Sequence, residues 1–561
     1  MTNDKATSGV HSSNIKRLRE KDGGDEDVGQ IDRRTFLSRA GLTSAIALAS
    51  VPLAATPVVV EKGAASAVAR RNAAYRCRLD AALVARQRSL PLHPSNGDEA
   101  RYGDRAGSYS KGLPHDGLGN VDGRAYAALL AACESGAPQD FEQIPMGGDR
   151  KLVSPQAAFA FDLEGADAGS LAIRPAPALD SAEAAAELAE LYWLAAARDV
   201  AFTDYASDAT IAAAAADLSR FAGFHGPKQA GLITPATIFR GQTPDDLIGP
   251  FVSQFLWMDI PMGALRISQL METAAPGVDY LTTYEDWLRA QNGQSPSAPT
   301  ALDATRRYIR SLRDLGQWVH VDALYQAYHQ ACLILLSIAP GDPGLPYSSS
   351  ATQEGFAIFG GPHILSLVTE VATRALKAVW FQKWLVHRRL RPEAMGGLVH
   401  QTLSGMAPRP LHSDVLNSAG PTRAFQSHGT YLLPQAFAEA CPLHPSYGAG
   451  HATVAGACVT ILKAWFDESF VLPNPIVADA TGLSLEPYAG PDLTVGNELN
   501  KLAANVALGR SAGGIHYRSD YWESVRLGEQ LALSVLEEQR PTYNENVTFT
   551  MTLFDGTTVT I

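Results

Sequence analysis

Leu443–Gly456 reads LHPSYGAGHATVAG. A histidine stands on either side of a tight Pro/Gly turn, His444 before it and His451 after it. The chain then opens into HATVAGACVTILKAWF, whose periodicity is helix-like in spite of its β-branched residues. A turn of this composition delivers backbone N–H groups to a helix N-terminus, where unpaired donors and the helix dipole favour an oxyanion. The N–H groups of Gly448 to His451 are the candidates to face it. The identity of the anion, and what is done to it, decides the function.

Two other segments carry matching charge. In Ile364–Pro392, ILSLVTEVATRALKAVWFQKWLVHRRLRP, the pattern predicts a helix of about five turns that ends near His387, before the Arg-Pro step. Lys383 and Arg391 are eight residues apart, with Arg388 and Arg389 between them. Taken alone, such cations equally suit the negative end of a helix dipole. In Asn500–Glu529 one apolar helix ends at Arg510 and the Gly513-Gly514 pair, and a second begins near His516. His516 and Asp520, four apart, then share a helical face. An aspartate so placed accepts the Nδ1 proton of the imidazole and leaves Nε2 free to attack or ligate. A lone pair of this kind is also a common surface cap. Together, K-x7-RP, G-x-G-H and R-x5-H-x3-D supply three cations, a backbone cradle and two histidines. That inventory binds a tetrahedral oxyanion with one histidine in line and another as acid/base.

Composition narrows the choice of anion. The chain has 561 residues and a formal net charge of −12, which argues against a general nucleic-acid or polyphosphate binder. The anion site must be local. Cys77, Cys133, Cys332, Cys441 and Cys458 are scattered without CxxC or zinc spacing, and read as small core residues with at least one thiol left over.

Residues 1–30 are polar and Gly/Asp/Ser-rich. Asp32-Arg33-Arg34-Thr35-Phe36-Leu37 then precedes a run of small apolar residues from Ala40 to about Val60. That pattern predicts a Tat-type signal within residues 1–62, and export to the periplasm or beyond, without a stable membrane anchor after cleavage. The alternative is a plain transmembrane anchor, against which Ser44, Pro52 and Pro57 weigh.

The rest of the chain is mostly helical in pattern. Residues 181–200, 207–223, Trp257–Met271, Tyr284–Gln291, Thr305–Leu315 and Ala323–Ile338 are the predicted helical pieces. HPSNGDEARYGDRAGSYSKGLPHDGLGNVDG is a long irregular loop lacking the calcium-loop pattern. The C-terminal VTFTMTLFDGTTVTI is a hairpin turning at Asp555-Gly556. The expected fold is all-α: a large multi-helix bundle with long loops. Residues 63–240 and 241–540 form the N-terminal and catalytic parts of one unit, and 541–561 the hairpin.

These motifs resemble the vanadium-dependent haloperoxidases, of the algal and cyanobacterial bromoperoxidase type, in a superfamily shared with type 2 phosphatidic acid phosphatases and class A acid phosphatases. The likeness is strongest over Trp380–Gly528; looser likeness in HPSNGDE, SKGLPH and FHGPKQ extends it over most of the chain. It implies vanadate as cofactor, with hydrogen peroxide, halide and organic small molecules as reactants and a homo-oligomeric assembly. Lys383, Arg391 and Arg510 resemble the cations around the vanadate oxygens, and Gly450 the backbone donor. His516 resembles the vanadium ligand, supported by Asp520, and His451 the acid/base. His444 and Trp380 match the halide side, with His444 leaning towards bromide and iodide. One position departs: the family pattern is usually Pro-Ser-Gly-His, and here it is Gly448-Ala449-Gly450-His451. Loss of that serine hydroxyl costs on the order of 1–3 kcal/mol of oxyanion binding. The competing expectations are an acid phosphatase working through a phosphohistidine at His516, and a non-catalytic oxyanion binder.

Overall fold

Gly456 and Gly528 let two helices meet backbone to backbone. A Cβ on Gly456 would stand 1.9 Å from the carbonyl oxygen of Val525, and one on Gly528 would stand 1.9 Å from that of Thr453. Only glycine permits this reciprocal crossing, and it fixes the start of one helix relative to the start of the other. The computed structural model in which it occurs describes residues 66–561, so the twin-arginine segment and its apolar run lie outside the described residues.

Seven helices build the frame of the site: α1 (Ala182–Ala196), α2 (Leu312–Val321), α3 (Gly361–Phe381), α4 (Pro392–Leu403), α5 (Gly450–Trp465), α6 (Val495–Ala512) and α7 (Arg518–Gln539). Helix α5 is central, packed by α3, α6 and α7. Every residue of α5 is buried except His451, so its one side chain reaching towards solvent is the histidine of the turn. Helix α6 is buried on all sides, through Leu499, Leu502 and Val506 among others. The apolar surface these helices remove from water is what makes so long a core cohere.

The strands are few and peripheral. Among the described residues three antiparallel pairs occur: β1 (Ile260–Met262) with β2 (Leu265–Ile267), β3 (Ile476–Ala478) with β4 (Leu485–Pro487), and β5 (Thr550–Thr552) with β6 (Thr558–Thr560). The last pair is the expected C-terminal hairpin, in the register Met551 opposite Val559. Met551 and Phe554 are buried, which ties the hairpin to the bundle.

Two expected helices are corrected. Within Trp257–Met271 the chain forms β1 and β2, because Ile260 is the buried anchor of a short hairpin turning at Gly263. Over Thr305–Leu315 the helix starts only at Leu312. Ser311 accepts the N–H of Asp314 as its N-cap, and residues 305–310 before it form no helix. Tyr284–Gln291 is a helix over its expected length. All five cysteines are thiols. Among the described residues no helix is long and apolar enough to cross a membrane.

Candidate active site

The basic end of α3 separates into two pairs of cations with different tasks. After Phe381 the helix widens into a π-type turn, Gln382–His387, and stops at Arg388, which takes a left-handed conformation (φ 39°). Arg388 turns away to Glu99 (2.6 Å), and Arg389 is held between Glu187 and Asp520 (2.9 Å each). Lys383 and Arg391 point the other way, into the histidine turn ahead of α5. Lys383 Nζ donates to the carbonyls of Pro445 (2.8 Å) and Ser446 (2.9 Å). Arg391, just ahead of α4, donates through Nε to the His444 carbonyl (2.8 Å) and through Nη1 to that of Ile515 (2.9 Å). The helix-dipole explanation of this cluster therefore fails for both residues.

Helix α6 delivers the third cation. Arg510 donates to the carbonyl of Val319 in the last turn of α2 (2.9 Å), while its buried Nε has no partner. Burial lowers its pKa to about 10. Burial, with Arg391 nearby, holds Lys383 well below the usual lysine range. Eleven Lys and Arg side chains of the described residues are buried. Eight of them have a carboxylate within salt-bridge distance. Lys383, Arg391 and Arg510 are the three that have none. Each uncompensated buried ion costs several kcal/mol, so this cluster is built for an anion that the chain itself does not provide.

His516 faces the cluster, but not from a helix. Helix α7 begins at Arg518, and His516 precedes it by two residues, correcting the expectation of a shared helical face. The pair forms because Asp520, in the first turn, reaches back. Its Oδ2 accepts from His516 Nδ1 (2.8 Å), from Ser446 Oγ (2.5 Å) and from the Tyr517 N–H (3.2 Å). With Nδ1 donating, Nε2 keeps its lone pair and accepts from Arg391 Nη1 at 3.2 Å. Burial, with Arg391 and Lys383 adding, drives His516 well below the ordinary histidine pKa, so its imidazole is neutral.

The turn itself supplies fewer donors than expected. The Ala449 N–H is taken by Ser524 Oγ (2.8 Å). Gly450, His451 and Ala452 open α5, so their N–H groups have no intrahelical acceptor. Ala449 is the N-cap and, being alanine, caps nothing. Trp380 closes the wall beside Gly450, where a Cβ would lie 3.2 Å from its ring. The same indole tilts against His444 (centroids 4.9 Å apart) and lies 5.7 Å beneath Lys383 Nζ. Arg391 Nη2 stands 2.9 Å from His444 Nδ1. Burial and the adjacent cations keep His444 neutral.

One functional residue escaped the sequence reading. Asp322, the C-cap of α2, places Oδ1 3.0 Å from His451 Nε2, and its buried Oδ2 has no partner. Burial pulls the pKa of His451 down and Asp322 pushes it back up. At 18 % exposure the His451 side chain is the most open of the group, which places the mouth of the site beside it. Only an acidic residue after an apolar helix marked Asp322 in the sequence, and that is no signal.

Fold and site together define a helical-bundle protein with a buried oxyanion cradle and a histidine lone pair facing it. The family described as the VCPO second helical-bundle domain matches residues 365–545. The chain is 37% identical to a vanadium-dependent bromoperoxidase of Corallina officinalis, over 88% of this chain and 98% of that protein. It is equally identical to one of Ascophyllum nodosum, over 81% and 86%. The homohexameric structure of the second vanadate-dependent bromoperoxidase of Ascophyllum nodosum superposes with a TM-score of 0.84 at 29% identity, covering 94% of this chain and 96% of that one. The chain belongs to the vanadium-dependent haloperoxidases, of the bromoperoxidase type.

Vanadate fits these residues. Three unpaired buried cations, the orphaned Nε of Arg510 and uncapped N–H groups meet the needs of a tetrahedral oxyanion, and His516 Nε2 is a neutral imidazole donor of the kind metals take.

Proposed function

We propose that this chain is a vanadate-dependent haloperoxidase, using hydrogen peroxide to convert halide, bromide and iodide favoured, into a hypohalous-acid equivalent that halogenates organic compounds. The observation that carries the reading is the set of three buried cations, Lys383, Arg391 and Arg510, lacking carboxylate partners beside the Nε2 lone pair of His516, which meets only Arg391 Nη1. The names of the relatives support vanadate as the anion.

Lys383, Arg391, Arg510 and the Gly450 N–H would hold the vanadate oxygens, and His516 Nε2 the vanadium. Bound vanadate supplies a Lewis-acidic centre that activates peroxide without changing oxidation state. The residues around it do the rest. Asp520 fixes the His516 tautomer and keeps Nε2 directed at the cradle. His451, at the mouth, takes the proton that peroxide releases, and the Asp322 carboxylate stabilises the imidazolium that results. Lys383, over the Trp380 ring, and Arg391, beside the neutral His444, give an incoming halide a positive field against an apolar wall.

The protein is expected to act outside the cytoplasm, on the strength of Arg33-Arg34 and the apolar run that follows. It is also expected to assemble with copies of itself. The homohexameric neighbour supports that, as does the helix Ala67–Gln87, which leaves Val68, Tyr75 and Leu79 exposed.

The test is direct. Purified protein loaded with orthovanadate and given peroxide and bromide should brominate a phenolic dye, and protein without vanadate should not. Hydrolysis of a phosphate monoester by the vanadate-free protein, with no bromination in either state, would replace this reading with the phosphatase. His516→Ala should abolish bromination; retained activity would defeat the assignment of the vanadium ligand.

A further inference from the structure

Asp520 does not hold His516 alone. Its second oxygen, Oδ1, accepts from Arg389 Nη1 (2.9 Å), which also reaches Ser519 Oγ (3.0 Å). The other arm of the same guanidinium, Nη2, donates to Glu187 Oε2 (2.9 Å). Glu187 Oε1 in turn accepts the Ser519 N–H (2.5 Å), in the first turn of α7. The guanidinium lies 3.8 Å over the Tyr517 ring, which prevents it from swinging away. All three charged groups are buried. The carbonyl of Arg389 accepts the Ser446 N–H (3.0 Å), and Ser446 is the residue whose hydroxyl also donates to Asp520. Helix α1, the basic exit of α3, the histidine turn and the start of α7 therefore meet through one arginine.

The physical need for such an anchor follows from the cradle. Lys383 and Arg391, on the other side of His516, both attract the Asp520 carboxylate. A carboxylate held only by His516, Ser446 and the long bond from the Tyr517 N–H would turn towards them, neutralise the cradle and take the imidazole with it. Arg389 pulls from behind. A lone arginine there would draw charge from Asp520 and weaken its hydrogen bond to His516; Glu187 offsets that pull.

We propose that Arg389 and Glu187 are positioning residues, a buried charge chain Glu187–Arg389–Asp520–His516 that sets the direction and donor strength of His516 Nε2 towards the oxyanion. The proposal rests on the vanadate reading for its ligand but not for its geometry, and two readouts separate them.

Glu187→Gln is the informative variant, since it keeps the shape and the acceptor for Ser519 while removing the charge. Arg389→Lys keeps the charge but cannot span Asp520 and Glu187 together. The expected result for Glu187→Gln is a vanadate dissociation constant raised about tenfold by calorimetry, the low end for groups that support a metal-binding histidine. KM for bromide at saturating vanadate should change little. The thermal unfolding midpoint should fall, because a buried ion pair loses one partner, so both readouts are taken well below the variant's Tm. In the vanadate-free protein, the exchange-protected imidazole proton resonance that is lost in His516→Ala should move upfield in Glu187→Gln and in Arg389→Lys. Glu187→Asp, which restores the charge, should recover at least part of both effects. An unmoved resonance, with vanadate affinity within twofold of wild type in folded Glu187→Gln, overturns the proposal. A wild-type protein that binds no vanadate defeats the functional reading, and the resonance then still decides the positioning claim.

Discussion

Replacing Asp322 with asparagine should separate proton transfer from anion binding, moving the two in opposite directions. The carboxylate lies 3.0 Å from His451 Nε2 and is 3 % exposed, so little water screens the contact. A hydrogen bond to a charged group in such a place is worth about 1.5–3 kcal/mol. Asparagine retains the shape and a polar partner but not the charge, so the imidazolium of His451 loses most of that stabilisation. Its pKa therefore falls. The sign is fixed: burial already lowers His451, Asp322 is the group that raises it, and its loss lowers it further. A weaker base takes up the peroxide proton less readily. Bromination at saturating vanadate and neutral pH should therefore drop about tenfold, with the acid limb of the pH–rate profile displaced to lower pH. Vanadate binding should tighten, because Asp322 is also the carboxylate that most strongly offsets the charge of Arg510. Steady-state bromination across pH, paired with calorimetric vanadate titration, reads both. Activity within twofold of wild type with an unmoved limb would refute the role given to His451. Weakened vanadate binding alongside lost activity would show that Asp322 holds the cradle together rather than serving the base.

The other predictions turn on the same frame. Orthovanadate at a hundred times its dissociation constant should stabilise the vanadate-free protein by about 2.7 kcal/mol, and Arg510→Met, which gives up one hydrogen bond, to Val319, should lose most of that gain in a thermal shift assay. Oxyanion affinity should fall as pH rises from 7 towards 10, because Lys383 sits well below its ordinary pKa and Arg510 near 10; affinity that grows with pH in isothermal titration contradicts the cradle. Ala449→Ser should tighten vanadate by about 1–2 kcal/mol if its hydroxyl faces the anion. Unchanged affinity with a more stable vanadate-free protein would mean that the serine caps α5 instead. Gly456→Ala should destabilise by about 3 kcal/mol or more in denaturant unfolding, since its Cβ would stand 1.9 Å from the Val525 carbonyl; a loss under about 1 kcal/mol would show that α5 and α7 can separate without penalty.

What the sequence made legible was local. The helix end near His387, the opening of α5 at Gly450 and the His516–Asp520 pair each depend on residues within a turn or two of one another, where propensity, glycine and capping chemistry act directly. Even there the physical cause can differ from the one the spacing suggests. His516 and Asp520 meet not because a helix presents them together, but because an aspartate in the first turn reaches back over the helix start. The short strands β1 and β2 were misread as helix because three-residue strands, only one of whose residues is buried, carry no periodicity to detect.

What stayed hidden was partnership across the chain. Asp322 lies 129 residues from His451, and Glu187 lies 202 from Arg389. Nothing in either neighbourhood distinguishes these acids from the other carboxylates of an acidic protein. The same distance explains how four adjacent basic positions could look interchangeable. Lys383, Arg388, Arg389 and Arg391 differ in role only because Glu99, Glu187 and Asp520 claim the middle two. A cation's function here is set by which carboxylate fails to reach it. The motifs and the resemblance pointed to Lys383, Arg391 and Arg510; the folded chain adds the physical reason, that these are the three buried cations of the described residues that no carboxylate reaches.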